Sequence, residues 1–302
     1  MSSSIARRPW PVAVSVLVIL TWATASARST GGRGAFVTSC AYSHSLTDDP
    51  IVFPGQPGAS HLHDFFGNET TNASSTRASL RSAETTCLLE GDTAAYWAPT
   101  AYLDSAPITP DRVRAYYFGI SGAGAFGDAQ VETIPRDLQM LAGNKSATTP
   151  EENPHVGWFC GAAQKIATAT PLVGHPYDCT PYLRDDPFVD GVVAKIVFPN
   201  CWDGLGTSPG DVVYPDPGCP TGFPHVLPRL ILRVHYGIMD PCLGSTPCTA
   251  DHAPEENIHL TLSSGTYLTY HADFWNTWQQ NHLDRLVEDC LQTHVDCGGQ
   301  RS

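Results

Sequence analysis

The sequence predicts a mainly β fold: a β-sandwich or jelly-roll-like core with long, disulfide-stapled loops and a C-terminal helix. Short runs of β-branched and aromatic residues recur along the chain, and such runs are typical of strands. Glycine and proline account for 26 and 25 of the 302 residues and are spread through the whole chain, which indicates many turns. The ten cysteines, an even number, indicate disulfide bonds.

Five runs predict strands. In the run LILRVHY, the apolar residues Leu230, Leu232 and Val234 occupy alternate positions, which indicates one buried face and one partly wet face. The predicted strands cover residues 113–120, 192–198, 230–236, 258–262 and 266–270.

Two runs predict helices. Residues 135–142 begin with a proline, which is tolerated at the first position of a helix. Residues 272–291 repeat apolar side chains at three- and four-residue spacing from Trp275 to Cys290, which predicts the C-terminal helix. Asp273 is the predicted N-cap of this helix, because its carboxylate can accept from the first free backbone N–H groups.

Residues 1–27 predict a secretory signal peptide. Two arginines precede an apolar run over residues 11–22, and a small-residue cleavage motif ends at Ala27. The apolar run is shorter than the ~20 residues of a membrane span. We therefore expect an extracellular, secreted protein that does not associate with membranes after cleavage, with a single domain over residues 28–302 and a monomeric state.

The mature chain is predicted to be strongly acidic. The signal peptide contains two of the 17 basic residues and none of the 30 acidic ones, so 15 basic residues remain against 30 acidic residues, a net charge of −15. Such a chain repels a phosphate backbone, which argues against nucleic acid as a partner. A neutral glycan or a cation remains compatible with this charge.

The cysteines predict five disulfide bonds. Zinc–thiolate sites are the alternative, but no CxxC pair occurs in the sequence, and disulfides are typical of exported chains. We expect cysteines that are neighbours along the chain to pair, because short loops containing glycine or proline close easily. The cysteines are Cys40, Cys87, Cys160, Cys179, Cys201, Cys219, Cys242, Cys248, Cys290 and Cys297.

The motif HLHD is the main candidate for chemistry. His61 and His63 are two residues apart, so both imidazoles lie on the same side of an extended segment. The motif HAD repeats this spacing at His271 and Asp273, and the four side chains together predict a site for zinc or a similar divalent metal. Asp64 is a candidate catalytic carboxylate, and either Asp64 or a backbone carbonyl is expected to hydrogen-bond behind a ligating histidine. Two alternatives remain open: a metal-free catalytic or binding cleft that uses the same histidines, and a hydrogen-bonded turn without chemistry.

Three further stretches supply candidates. Trp202 and Asp203 follow a predicted strand, where they could bind a sugar or simply form a turn beside a disulfide. His225 lies between two prolines and is either a proton shuttle or a structural ring. Tyr96 and Trp97 belong to an aromatic-rich stretch that could stack on sugar faces or pack within a sheet.

Several reaction classes are disfavoured by missing motifs. The sequence contains no HExxH pair and no phosphate-binding P-loop. Copper polysaccharide oxygenases begin with histidine, whereas the predicted cleavage leaves Arg28 at the N-terminus. A two-carboxylate glycosidase remains open, with Asp64, Asp203 and Asp273 as candidates, as does a lyase with a histidine or tyrosine base.

Five sequence blocks together resemble the domain-of-unknown-function 1996 family of secreted fungal and actinomycete proteins, over roughly residues 36–290. The blocks, in chain order, are DPIVFPGQPGASHLHDFFGN, YWAPTAYLD, FPNCWDG, CPTGFPHVLPRL and HADFWNTW. The resemblance implies no activity, but some fungal members carry wall-binding modules, which implies proximity to cell-wall glycan. The blocks contain the candidates His61, His63, Asp64, Trp202, Asp203, His225, His271 and Asp273.

We therefore expect a carbohydrate-active protein whose partner is a polysaccharide or cell-wall glycan. One hypothesis is a hydrolase or lyase with a His/Asp cleft, with or without a divalent metal, and it requires the candidate histidines and aspartates to share one cleft. The other is a non-catalytic cell-wall or glycan-binding protein, which requires an exposed aromatic platform. Metal sequestration by the same histidines is a third hypothesis.

Overall fold

The computed structural model describes residues 34–120, 126, 130–162, 170–242 and 248–299. The predicted signal peptide at residues 1–27 and the predicted new N-terminus, Arg28, lie outside these ranges. Strands dominate the described residues, which confirms the mainly β prediction. No helix in the described ranges has the length and apolar composition needed to cross a bilayer.

The described residues form seventeen strands and two α-helices. The strands are β1 (Ala35–Leu46), β2 (His63–Gly67), β3 (Ala95–Pro99), β4 (Ala101–Leu103), β5 (Ala106–Ile108), β6 (Arg112–Phe118), β7 (Gln139–Gly143), β8 (Val156–Ala162), β9 (Val189–Val197), β10 (Cys201–Trp202), β11 (Val212–Val213), β12 (His225–Val226), β13 (Arg229–His235), β14 (Leu260–Leu262), β15 (Gly265–Thr266), β16 (His271–Trp275) and β17 (Asp296–Gly298). The helical segments are α1 (Arg77–Arg81), α2 (Gln280–Leu286), a π-helix at Val287–Gln292 and 3₁₀ turns at Pro150–Glu152, Thr180–Arg184, Pro209–Asp211, Glu255–Asn257 and Tyr267–Thr269.

One large sheet organises the molecule. Its strands follow the order β7-β16-β3-β2-β1-β6-β13-β9-β8, antiparallel throughout, and the short β17 pairs in parallel with β1. β7 also contacts β9, so the sheet is nearly closed on itself. Its inner face encloses the main apolar core, which extends from Phe36 to Leu291. Two smaller sheets, β11-β10-β12 and β15-β14-β4-β5, flank it.

Four of the five predicted strands are confirmed. They correspond to β6, β9, β13 and β14, with ends that differ by up to three residues from the prediction. The predicted strand at 266–270 is wrong, because most of it is a 3₁₀ turn at Tyr267–Thr269. The Thr269 hydroxyl donates to the Thr266 carbonyl at 2.8 Å, and this side chain–backbone bond favours a turn over a strand.

The predicted helix at residues 135–142 is wrong. Asp137 has a left-handed backbone conformation (φ 70°), which is incompatible with a continuous helix. Leu138, just before β7, and Met140 and Ala142 within it are buried at alternate positions, so the period of this segment is two.

The C-terminal helix is confirmed, but it begins later than predicted. β16 occupies residues 271–275, so Asp273 is a central strand residue and not an N-cap. α2 begins at Gln280 and continues into the π-helix. Trp275 and Trp278, which suggested one helical face, lie in different clusters: Trp275 packs outside the sheet and Trp278 inside it.

All ten cysteines pair with their neighbours along the chain, as predicted. The longest loop, Cys40–Cys87, spans 47 residues, and the shortest, Cys242–Cys248, spans six. In the chain-entropy model these loops correspond to stabilisations of about 4 and about 2 kcal/mol. The remaining pairs are Cys160–Cys179, Cys201–Cys219 and Cys290–Cys297.

A buried hydrogen-bond network crosses the inner core around Asp92. The Tyr96 hydroxyl donates to Asp92 Oδ2 at 3.0 Å and lies 2.7 Å from the Tyr117 hydroxyl. Trp278 Nε1 donates to the Tyr117 hydroxyl at 3.2 Å. Burial raises the pKa of Asp92 to about 7, and hydrogen bonds from Ala94 N–H and Tyr96 oppose this rise only in part.

We expect the stability of the protein to fall as the pH rises from about 4 to about 7, because Asp92 keeps its proton in the folded state and loses it in the unfolded chain. The difference between the pKa of Asp92 in the folded protein and in the unfolded chain corresponds to at most about 4 kcal/mol of the free energy of unfolding. Asp92→Asn removes this titration, so its free energy of unfolding should depend less on pH. Chemical denaturation at pH 5 and pH 8 measures the difference.

The exposed Asp289→Asn variant is the control for this prediction, since it removes one carboxyl from the surface. An Asp92→Asn variant that keeps the full wild-type pH dependence would contradict the assignment of the proton to Asp92.

Candidate functional site

Strand alternation brings the HLHD and HAD motifs together. β2 and β16 both pair with β3: His63 lies opposite Pro99, and Asp273 lies opposite Trp97. Residues that face each other across antiparallel strands share one face of the sheet, so His63, His271 and Asp273 project from the same outer face.

Three imidazoles meet on this outer face. His63 Nδ1 donates to the Asp48 carbonyl oxygen at 2.9 Å, and His271 Nδ1 donates to the Thr269 carbonyl oxygen at 2.9 Å. Carbonyl oxygens only accept, so each Nδ1 carries the proton and each Nε2 keeps a free lone pair. His61 Nε2 lies 3.0 Å from His271 Nε2, and one ring nitrogen from each of the three histidines lies within 4.8 Å of the other two.

The loop between β1 and β2 holds two of these rings in place. Asp48 accepts from Gly58 N–H through Oδ1 at 2.8 Å and from Ala73 N–H through Oδ2 at 2.9 Å. Its backbone carbonyl is the acceptor for His63. Ser60 N–H donates to the Thr47 carbonyl at 3.1 Å, so the loop closes on itself just before His61.

Two buried carboxyl groups adjoin the imidazoles. Asp49, His63 and Asp273 form a second group whose ligand atoms lie within 4.8 Å of one another. Asp49 Oδ1 accepts from the backbone N–H groups of Ile51 and Val52 at 3.0 and 2.9 Å, which fixes its orientation. His63 Nε2 and Asp273 Oδ2 are buried and have no hydrogen-bond partner in the described part of the chain. Buried polar atoms in folded proteins are almost always satisfied, so these two atoms are available to hydrogen-bond or coordinate a bound group.

The electrostatics of the site keep the histidines neutral. Burial lowers the pKa of His271 to about 4, and burial with the neighbouring rings of His61 and His271 lowers the pKa of His63 well below its usual value. Burial, with a smaller contribution from the Lys145 ammonium, lowers the pKa of His61. Neutral imidazoles at pH 7 are the form that binds metal ions.

Burial also favours the protonated form of both carboxyl groups. It raises the pKa of Asp273 well above the usual range, and the neighbouring Asp49 raises it further, while the Lys145 ammonium lowers it. Burial likewise raises the pKa of Asp49, against the hydrogen bonds from Val52 and Ile51. A cation placed between the two carboxyl groups would reverse both effects.

A cavity of about 540 Å³ opens over the site. Its floor carries His61, His271, Asp49 and Asp273, and one wall comes from the loop after β7, which contributes Lys145. The apolar lining is Val52, Phe53, Ala59, Leu141 and Ala142. Ligand pockets of 300–1,000 Å³ with few convergent polar groups are typical of small-molecule sites.

One pair of ring nitrogens has a separation close to that of two zinc ligands. Nitrogens at about 2.0–2.1 Å from a tetrahedral zinc ion lie roughly 3.3 Å apart. The 3.0 Å separation of His61 Nε2 and His271 Nε2 is close to this value. The two Nδ1–H···O=C bonds are the outer hydrogen bonds that orient metal-ligating histidines. Of the four predicted ligands, His61, His63 and His271 form one group, whereas Asp273 groups with His63 and Asp49, so the two groups share His63.

The structure places Asp64 away from this site. It follows His63 in β2 and therefore projects to the inner face, where Oδ1 accepts from Ser45 Oγ at 2.6 Å and from Thr100 Oγ1 at 2.8 Å. Burial raises its pKa to about 6, and the hydroxyls of Ser45 and Thr100 oppose the rise. Asp64 is a neighbour of Tyr236 and Tyr270 in the core. The prediction that it is a catalytic carboxylate at the histidine site, or a partner behind a ligating histidine, is therefore wrong.

Trp202, Asp203 and His225 form a separate group in the sheet β11-β10-β12. Trp202 lies directly opposite His225, and the ring centroids are 5.5 Å apart. Asp203 Oδ1 accepts from Leu205 N–H at 2.8 Å and from Gly206 N–H at 3.2 Å, which is a turn. None of the three lines the cavity described above. The prediction of one cleft for all the candidate residues is therefore wrong for Asp203 and His225, and any catalytic cleft is restricted to the histidine site around His61, His63, His271 and Asp273.

His225 has its own partner, Glu132. His225 Nδ1 lies 2.8 Å from Glu132 Oε1, and both side chains are substantially exposed. A surface pair of this kind contributes little to stability.

Tyr96 and Trp97 are fully buried, at 0 % exposure. Tyr96 belongs to the Asp92 network, and Trp97 packs against Phe65 with ring centroids 5.6 Å apart. Neither ring has a surface from which to stack on a glycan, so the predicted sugar-binding role has no support in this arrangement.

The family model for "Domain of unknown function (DUF1996)" matches residues 49–278. This range includes both motifs of the histidine site and most of the large sheet. The chain belongs to this family. No curated protein and no solved structure shows significant similarity to the chain.

Asp49 and Lys145 are site residues that sequence reasoning missed. Asp49 is the first residue of the family match and precedes a proline, and an Asp-Pro pair favours a turn, so its local sequence gives no sign of a role in a site. Lys145 reaches the cavity only because β7 lies next to β16, a long-range pairing that no local pattern reveals.

Lys145→Gln is expected to raise the pKa of His61 in metal-free protein. Burial is the main cause of the low pKa of this ring, and the Lys145 ammonium adds to it by disfavouring the imidazolium form. NMR titration of the His61 ring protons measures the change. Arg136→Gln, which removes an exposed cation outside the cavity lining, is the control, and equal titration curves for wild type and Lys145→Gln would contradict the placement of Lys145.

Proposed function

We propose that the protein is a secreted, metal-dependent enzyme that cleaves a polysaccharide or cell-wall glycan, by hydrolysis or elimination, at the histidine site. The proposed ligands are His61, His63, His271 and Asp273, and the proposed ion is zinc or a similar divalent transition metal. The observation that carries the proposal is the meeting of three imidazoles, with one ring nitrogen of each within 4.8 Å of the other two, near a buried Asp273 oxygen that has no hydrogen-bond partner in the described part of the chain.

The chemistry of the donors favours zinc over calcium or magnesium. Three neutral imidazoles form a nitrogen-rich set, whereas calcium and magnesium prefer oxygen ligands. Two Nδ1 atoms are already held by the carbonyls of Asp48 and Thr269, so the rings need no rearrangement to present Nε2. A structural zinc site is closed by four protein ligands, while a catalytic one opens to substrate, and here His61, His271 and Asp273 line an open cavity.

A bound ion of this type would acidify a water molecule or polarise a substrate oxygen. Asp49 and Lys145 are the two protein groups that we propose contact the substrate. Asp49, held by two backbone N–H groups, is placed to accept a hydrogen bond from a group bound at the floor of the cavity. Lys145 is exposed on the opposite wall and is placed to orient a substrate oxygen.

The glycan part of the proposal is supported by sequence and by the cavity. The predicted signal peptide and five disulfides are consistent with an extracellular protein. The acidic net charge, −13 for the full sequence, disfavours nucleic acid. The cavity lining combines apolar carbon surface with a few hydrogen-bonding groups, as the faces of a sugar ring require.

The first test is the metal content of purified protein by mass spectrometry. Wild type is expected to contain about one equivalent of a divalent transition metal, and His63→Ala and His61→Ala should each lose most of it. His225→Ala is the matched control, because it removes an imidazole from a pair outside the cavity. Absence of metal from wild type, even after incubation with zinc, would overturn the metal site.

The second test is a panel of plant, fungal and bacterial wall polysaccharides. Hydrolysis produces new reducing ends, whereas elimination also produces ultraviolet-absorbing unsaturated ends. We expect chelation or His61→Ala to reduce turnover by at least about 100-fold, and zinc to restore the chelated wild type. Metal binding without turnover of any polymer in the panel would contradict the enzymatic part of the proposal and leave a metal-binding protein.

A further inference from the structure

The loop after β7 holds a cation over the floor of the histidine cavity. Gly143, at the end of β7, lies directly opposite His271 and has a left-handed backbone conformation (φ 87°). A Cβ atom at this position would lie 2.6 Å from the Tyr270 carbonyl oxygen and 2.8 Å from His271 Cα, so glycine is needed for the loop to approach β16 this closely. Lys145 follows two residues later and lines the cavity.

Hydrogen bonds fix the backbone of this loop. The buried Asn153 side chain donates to the Tyr270 carbonyl oxygen at 2.8 Å, and its Oδ1 accepts from Asn144 N–H at 3.0 Å. Asn144 Oδ1 in turn accepts from Ser146 N–H at 3.0 Å. The backbone is therefore held on both sides of Lys145, and the lysine side chain extends from a fixed point of the cavity wall.

The ammonium group of Lys145 has no partner of its own. In the described part of the chain it forms no hydrogen bond and no ion pair, and its side chain is exposed. It is the only lysine or arginine among the described residues that line the cavity. Burial is the largest cause of the pKa shifts at Asp49, His61, His271 and Asp273, and the Lys145 ammonium contributes to each of these shifts, so its charge acts across the floor.

A bound metal ion would leave the charge of Lys145 without compensation. A divalent ion at the floor matches the two negative charges of Asp49 and Asp273, while the three imidazoles bind it in their neutral form. These two aspartates are the only acidic residues among the described residues that line the cavity. An exposed cation without a partner, inside a cavity of a chain with a net charge of −13, favours the binding of an anionic group there.

A carboxylate on a sugar is the anion that fits this lining. Carboxylate oxygens coordinate zinc-type ions and accept charge-assisted hydrogen bonds from ammonium groups. Val52 and Leu141 line the same cavity with 40 % and 37 % of their surface exposed, and they offer apolar contact to the face of a sugar ring. Nucleic acid is the less favourable polyanion, because duplex DNA carries one charge per about 1.7 Å and is repelled by the acidic remainder of the chain.

We infer that the cavity binds an acidic sugar, so that the polymer cleaved at the histidine site is a uronan, a polysaccharide whose sugars carry carboxylates. Lys145 binds the carboxylate from the wall, and the ion binds it from the floor. The inference rests on the function proposed above, because that function supplies the ion and the cleavage. Lys145 sets the preference for a charged substrate and is not a ligand of the metal.

Surface plasmon resonance tests the inference through binding and does not require turnover. Mature protein loaded with zinc is passed over immobilised oligosaccharides of galacturonate, glucuronate or mannuronate, and over the same oligosaccharides after reduction of their carboxyl groups to alcohols. Each pair shares its linkage, and only the first member is charged. Wild type is expected to bind at least one uronate oligosaccharide about tenfold more tightly than its reduced form, with an affinity that falls as salt is added.

Variants of Lys145 test its role in this preference. Lys145→Gln should lose most of the roughly tenfold preference for the charged oligosaccharide, and Lys145→Arg should restore most of it. Arg136→Gln, which removes an exposed cation outside the cavity lining, is the matched control and should bind like wild type. Wild type that binds none of the three uronates, equal binding of the charged and reduced forms, or an equal loss in Arg136→Gln would each overturn the inference.

Metal content separates this inference from the function proposed for the site. Lys145→Gln should contain as much metal as wild type, and loss of the ion in this variant would assign the lysine to the metal site and overturn the inference. Cleavage of neutral polymers by a zinc-containing wild type without preference for carboxylates would overturn the inference alone. Uronate binding through Lys145 by a protein that holds no metal and cleaves no polymer would overturn the proposed enzyme and leave a carboxylate-binding cavity.

Discussion

The hydrogen bond from His63 Nδ1 to the Asp48 carbonyl is the interaction on which the site depends. It fixes the tautomer of a fully buried ring and directs its free nitrogen toward the other two imidazoles. The carboxylate of the same Asp48 holds the surrounding loop through Gly58 and Ala73. One residue therefore closes the loop with its side chain and orients the central histidine with its backbone.

The sequence could predict the histidine site because strand alternation is a local rule. A spacing of two residues puts His61 and His63 on the same side of an extended segment, and it does the same for His271 and Asp273. This holds whichever strands pair. The same rule separates His63 from Asp64, since neighbouring residues project to opposite faces. Adjacent candidates in one motif therefore belong to different environments, one outside the sheet and one inside it.

Long-range pairing limits what the sequence could predict elsewhere. β3 lies between β2 and β16 and buries Tyr96 on one face and Trp97 on the other, so the aromatic content that suggested a sugar platform belongs to two apolar clusters. Trp202 and His225 meet across a small separate sheet. The prediction of a helix at residues 135–142 was wrong for a local reason. Alternating burial cannot be recognised in a sequence when an exposed residue between two buried ones is also apolar, as Leu141 is.

The large sheet separates the histidine site from the core. The site uses outer positions of β2 and β16, while the inner positions of the sheet form a common core with the Asp92 network. Because the histidine site lies on the outer face of the sheet, the interior does not have to accommodate its polar groups. Most of the interior is aromatic and aliphatic.

The walls of the cavity come from loops, while most of its proposed metal ligands come from strands. The segment around Val52 and Phe53 and the segment around Lys145 both project beyond the sheet, whereas His63, His271 and Asp273 are held by strand pairing. Loops accept insertions and substitutions more readily than paired strands do. Lineages that carry this fold could therefore diversify what enters the cavity while inheriting the same ligand set at its base.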